Sequence, residues 1–200
     1  MNIIKYIKAN IGFTISLVFF AILVISPDAK ALLMQGLIKT GLFTPNISHL
    51  QSEQPSEAAE TSGPMAPLAS FISLDGKNLD LASLKGKVVF INFWATWCPP
   101  CIAEMPSVNS LFNKMKSNDK VVFLMVDADN KLENSEAFMK KSKYDLPVYG
   151  PAGALPNELF KGSLPTTVII NKKGEIVFLH EGMADYNTGE TEKLLNQLSK

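Results

Sequence analysis

Two cysteines, and only two, occur in this 200-residue chain, and they stand together as Cys98-Pro99-Pro100-Cys101. The run Val88-Val89-Phe90-Ile91 precedes them. It is apolar and rich in β-branched residues, the composition of a buried strand. Ile102-Ala103-Glu104-Met105 follows and has the composition of a helix start. A strand, a Cys-x-x-Cys turn and a helix place both thiols at a helix N-terminus. Unpaired amide N–H groups and a partial charge of roughly +0.5 favour a thiolate there. A cysteine so placed falls from a pKa of about 8.5 to roughly 3.5–7.5. Pro99 and Pro100 suit the first helical positions, where their missing N–H groups would be unpaired anyway. Cys98, at the exposed end of the strand, is the expected nucleophile, and Cys101, one turn into the helix, the more buried resolving thiol. A bridge closing so short a loop removes little chain entropy, which argues for a reversible bond over a structural one.

Formal charge is zero and no basic block stands out, so nucleic-acid binding is not indicated. The two histidines, His49 and His180, have no partner at metal-ligand spacing, and four zinc ligands do not assemble from this set. No metal site and no cofactor beyond the Cys98–Cys101 couple is expected.

The string from Asn92 to Cys101, with Glu104 and Pro106 after it, resembles the TlpA/ResA-like membrane-anchored branch of the thioredoxin superfamily. The resemblance covers about the last two thirds of the chain. It implies an α/β thioredoxin-like fold, a central mixed β-sheet flanked by helices, with an N-terminal β-hairpin. It implies a thiol–disulfide oxidoreductase. Many thioredoxins carry a buried aspartate where this chain has Asn92, which cannot titrate. The branch instead carries a glutamate at the position of Glu104, implied to exchange a proton with Cys101. Trp97, Pro99 and Pro100 are implied to border the nucleophile on the docking surface. Leu164-Pro165 precedes the strand 166–170 as the superfamily's cis-proline does, and would offer the Leu164 backbone to a bound segment. The implied partners are exported cysteine-containing proteins, apocytochromes c among them, and a membrane thiol–disulfide electron donor. A reductase is the preferred direction. Thioredoxin-like copper chaperones are the alternative, but they usually space their cysteines by three residues and add a distal histidine. Here the gap is two and His180 is the only candidate in the domain. A peroxidase is disfavoured, because the proline-led motif of peroxiredoxins is missing between Ile91 and Cys98.

Residues 1–27 carry Lys5 and Lys8 and then the apolar run 11–25, the pattern of a retained signal anchor or a cleaved signal peptide. Either exports the domain to the periplasmic side, membrane-anchored by the first reading and soluble by the second. Residues 28–67 divide into an amphipathic segment and a flexible linker. Leu33, Met34, Leu37, Ile38 and Leu42 predict an amphipathic helix over 31–43, on a membrane surface or packed on the domain. The linker, 44–67, holds four prolines and three glutamates and no Lys or Arg. The domain occupies 68–200. Asp75-Gly76 predicts the hairpin turn. Helices are expected over 99–117, kinked at Pro106, over 131–143, 154–161 and 188–199. Strands are expected at 88–94, 121–126, within 144–150, and at 166–170 and 175–179. Asp127 and Asp129 are expected to cap a turn, Trp94 to lie in the core and His180 to be structural.

Overall fold

Every residue of β3 (Val88–Trp94) is buried, and the sheet is built outward from it. The computed structural model describes residues 11–38, 43–45 and 63–200. β3 pairs in parallel with β4 (Val121–Asp127) and antiparallel with β6 (Thr166–Ile170). β4 continues in parallel to β5 (Val148–Pro151). Antiparallel β1 (Ser70–Ser73) and β2 (Asn78–Asp80) extend that edge, and β7 (Ile176–Glu181) closes the other. The result is a seven-stranded mixed sheet in the order β2-β1-β5-β4-β3-β6-β7.

The two-residue period of β3 sorts its side chains onto two apolar layers. Val88, Phe90 and Trp94 join the layer beneath α3 (Pro99–Met115), α4 (Leu132–Ser142) and α5 (Gly189–Leu198). Val89, Ile91 and Phe93 join the opposite layer with Phe71, Leu81 and Leu159. Asn92 therefore shares its face with Phe90 and Trp94, under the helix that carries the cysteines.

α1 (Ile11–Ile25) and α2 (Pro27–Ile38) precede the sheet. Among the described residues no helix is long and apolar enough to cross a membrane. Residues 1–10, which the expected anchor includes, lie outside the described residues, as do 46–62 of the expected linker.

Three expectations change. α2 begins at Pro27, not at 31, and its apolar residues do not share one environment: Leu33 and Leu37 are exposed while Ala31 and Ile38 are buried. A small residue lets two helices approach closely, which suits the burial of Ala31. The backbone pairing of the domain reaches back to Pro64, ahead of the expected start at Leu68. Ile176 donates its N–H to the Pro64 carbonyl and Ala66 donates to that of Gly174, each at 2.8 Å, which adds a short bridge beside β7. No helix forms over 154–161. The Leu159 and Phe160 N–H groups both donate to the Pro156 carbonyl, and the segment stops at one turn. A stretch this short does not repay helix nucleation. Leu159 instead fills the second layer while Phe160 stacks on Phe93 with centroids 4.9 Å apart. α3 runs from Pro99 to Met115 with Pro106 inside it, as expected. Pro106 lacks the N–H that would meet the Ile102 carbonyl four residues back, so that carbonyl loses its helical partner.

Candidate active site

β3 ends at Trp94 and α3 begins at Pro99, so the turn between them sets the cysteines at the helix N-terminus. Cys98 is the N-cap of α3, with φ −88° and ψ 104°. Its Sγ accepts the Cys101 N–H at 3.3 Å, the position a serine oxygen takes in an ordinary cap. The two sulfurs are bonded to each other. Cys101 is fully buried, as its place one turn into the helix requires. Cys98, expected at an exposed end, is only 3 % exposed. Pro99 and Pro100 beside it are half-buried.

Trp97 is 57 % exposed, and its indole N–H donates to Asp129 Oδ2 at 2.5 Å. Asp129 also faces Lys131 Nζ at 3.6 Å. Asp127 does the capping: it accepts from the N–H groups of Asp129 and Lys131 and from the Ser135 hydroxyl. Asp129, expected to cap as well, holds the exposed indole instead. Nothing local in the sequence points to a partner for Trp97 that lies 32 residues away.

Glu104, one turn beyond Cys101, is fully buried. Asn92 Nδ2 donates to its Oε1 at 2.7 Å, and the Ala184 N–H donates to its Oε2 at 3.1 Å. The same Asn92 amide donates to Thr167 Oγ1 at 2.9 Å, because Asn92 and Thr167 are paired residues of β3 and β6. Burial pushes the Glu104 carboxyl up to about 8, against the lowering effect of the Asn92 and Ala184 bonds. Tyr186 lies in the same cluster, fully buried. Desolvation and the nearby Glu104 hold its phenol well above the usual range. Among the described residues Asn92 Oδ1 has no hydrogen-bond partner, while the Tyr186 hydroxyl faces Thr167. Asn92 and Glu104 were expected here; Thr167, Ala184 and Tyr186 were not, and they come from strands and loops far along the chain.

The Leu164–Pro165 peptide bond is cis. The Pro165 carbonyl accepts the Gly182 N–H at 2.8 Å, which ties this turn to the end of β7. Leu164 packs against both apolar layers. His180 sits on β7 opposite Thr167, its ring stacked along Phe178 at 6.1 Å. Among the described residues no group of three or more His, Cys, Asp or Glu side chains is placed to hold a metal ion. Chemically, the site joins an N-capping sulfur, a second sulfur one turn inward and a carboxyl that keeps its proton at neutral pH.

Comparison with known families matches residues 61–198 to Redoxin, more than half of the chain. The chain belongs to the Redoxin family. This Redoxin protein is 39% identical over 116 residues to the thiol-disulfide oxidoreductase ResA of Bacillus cereus (strain ZK / E33L). That match covers 58% of the chain and 66% of the relative, just under two thirds of its length. It is 31% identical over 140 residues to ResA of Bacillus subtilis (strain 168), covering 64% of the chain and 78% of the relative. The crystal structure of StoA from Bacillus subtilis superposes with a TM-score of 0.53 at 26% identity, covering 66% of this chain and 98% of that one. The Redoxin protein is thus ResA-like within the thioredoxin superfamily, as the NFWATWCPPC string implied. Its fold is the thioredoxin-like α/β one, and its cysteine-bearing domain is that of a thiol–disulfide oxidoreductase.

Proposed function

We propose that this Redoxin protein is an extracytoplasmic reductase of disulfides in exported proteins, with apocytochrome c cysteines in the substrate class. The reading rests above all on the Cys98 sulfur capping α3 while Cys101 and the Glu104 carboxyl lie buried behind it. In the reduced domain the Cys98 thiolate attacks one sulfur of a substrate disulfide. That S–S bond breaks, the departing sulfur takes up a proton, and a mixed disulfide forms. The ionised minority of Glu104, about a tenth at neutral pH for a pKa of about 8, takes the Cys101 proton as that sulfur attacks Cys98 Sγ. The second substrate thiolate leaves, and the domain carries the disulfide. Two electrons have passed to the substrate. A dithiol donor at the membrane returns them by the same exchange in reverse. No cofactor beyond the cysteine pair enters this cycle.

Trp97, Pro99 and Pro100 border Cys98, and the Leu164 backbone before Pro165 would pair with the substrate segment as a short added strand. The apolar α1 supports a place at the membrane, where an electron source is fixed: Phe13, Ile15, Leu17, Phe19 and Phe20 are all exposed on it. A retained anchor is the preferred reading of residues 1–27, and a cleaved signal peptide the second.

The equilibrium reduction potential of the full chain tests the direction. A value near that of thioredoxin, about −270 mV, supports a reductase, and one near −120 mV assigns an oxidant. Cys98→Ser should abolish disulfide reduction, and an unchanged rate would remove the proposal altogether.

A further inference from the structure

Ile102 and Ala103 pose a problem on α3. Both are buried, yet neither belongs to either apolar layer of the sheet. The layer beneath α3 takes Cys101, Met105, Val108 and Leu111, which leaves Ile102, Ala103, Pro106 and Ser110 on another face of the helix. α2 covers that face. Gln35 Nε2 donates to the Ile102 carbonyl, a long bond of 3.5 Å. This is the carbonyl that Pro106 deprives of its helical donor, so the docking helix supplies from outside what the proline removed from within. Gln35 and Ile38 also line a cavity with Ala103, Pro106, Ser107 and Ser110.

The contact has a direction. Gln35 meets α3 at Ile102, and farther along the chain the Phe43 carbonyl accepts the Asp185 N–H at 2.8 Å. Asp185 adjoins Tyr186, whose N–H donates to Ser107 Oγ more than a turn beyond Ile102. α2 therefore runs along α3 in the same sense. Ala31, one turn before Gln35 and 1 % exposed, would on that direction lie toward the end of α3 where Cys98 caps it. The near-complete burial of Cys98 agrees with a helix lying across this end.

We infer that α2 is a cis-acting cover on the redox helix. It is seated on a docking face of α3 centred on the Ile102 carbonyl, and it must lift for a substrate sulfur to reach Cys98. The inference takes Cys98 as the reacting sulfur but does not depend on the direction of electron flow. The outer side of α2 carries Leu32, Leu33 and Leu37, all exposed, so substitution there leaves the seat untouched.

The test is the alkylation rate of Cys98 in the reduced full-length protein in detergent, with iodoacetamide at neutral pH, read by mass spectrometry. Ala31→Glu places a carboxylate in a buried helix contact and should unseat the cover. A covered state that opens only a few per cent of the time predicts acceleration of about tenfold or more for Ala31→Glu. Gln35→Ala, which removes one long hydrogen bond, should accelerate by about twofold to threefold. Leu33→Glu, on the exposed side, should stay at the wild-type rate. Ala31→Glu alkylating at the wild-type rate would overturn the inference, as would Leu33→Glu accelerating equally. If Ala31→Glu lacks a cooperative thermal transition, Gln35→Ala decides: acceleration supports the cover and a wild-type rate removes it. Because alkylation reads access alone, a potential that made the protein an oxidant would leave this result standing.

Discussion

A carboxyl sealed under a helix, with one amide and one backbone N–H for company, keeps its proton well past the pH at which a solvated glutamate would lose it. Glu104 is in that position, and the sign of its effect on stability follows. Its folded pKa of about 8 lies above the ordinary 4.5, so between those values the folded state holds a proton that the unfolded state has released. Stability should therefore fall as pH rises through that window, by at most about 1.4 kcal/mol per pH unit. Denaturant unfolding of the oxidised protein across the window should show this decline, and Glu104→Gln should flatten it. Asn92→Ala removes the larger of the two bonds that favour the charged carboxylate. It should move the Glu104 midpoint above 8 and cost about 1–3 kcal/mol, read from the same pH series. Trp97 poses a surface question instead. Asp129→Ala frees the indole that Asp129 now holds. If Trp97 orients substrates, KM for a disulfide peptide should rise several-fold with kcat nearly unchanged, and the tryptophan emission should shift.

At the scale of elements, each boundary near the site has a local cause. α3 starts where Cys98 caps it and two prolines fill its first positions. α5 starts at Thr188, whose hydroxyl oxygen accepts the Thr191 N–H. Thr188→Ala should cost about 1 kcal/mol in a chemical-unfolding series, with no change in the redox potential. The bridge beside β7 depends on a glycine for a steric reason. A Cβ at Gly63 would lie 1.8 Å from the Ile176 carbonyl oxygen, so the backbones must separate before any side chain fits. Gly63→Ala should lift residues 63–66 off β7. Faster hydrogen exchange at the Ile176 N–H, which now donates to Pro64, would report it.

Taken whole, the molecule places a redox domain behind two N-terminal helices of opposite character. α1 is apolar on every side and buries little of itself; α2 is half-committed to the domain through Ala31, Gln35 and Ile38. A surface like that of α1 is not left in water. The full chain should need detergent or lipid to remain monodisperse in analytical ultracentrifugation. A chain starting at Gly63 should be monodisperse without either.

The cysteine spacing, the apolar run before it and the two prolines determined the site and its chemistry, because a strand, a cap and a helix N-terminus are all local objects. Apolar runs such as Val88–Ile91 likewise marked the buried strands, since their composition is written in successive residues. What sequence could not supply are the partners that only folding brings together. Ala184 holds Glu104 from 80 residues away, Asp129 holds Trp97, and Thr167 shares the Asn92 amide through the β3–β6 register. The same limit explains α2. Its apolar spacing pointed to an amphipathic helix, on a membrane surface or packed on the domain, but not to the surface it met, the helix α3 with a carbonyl lacking its helical donor. Close packing there selected the small residue and the amide over the leucines.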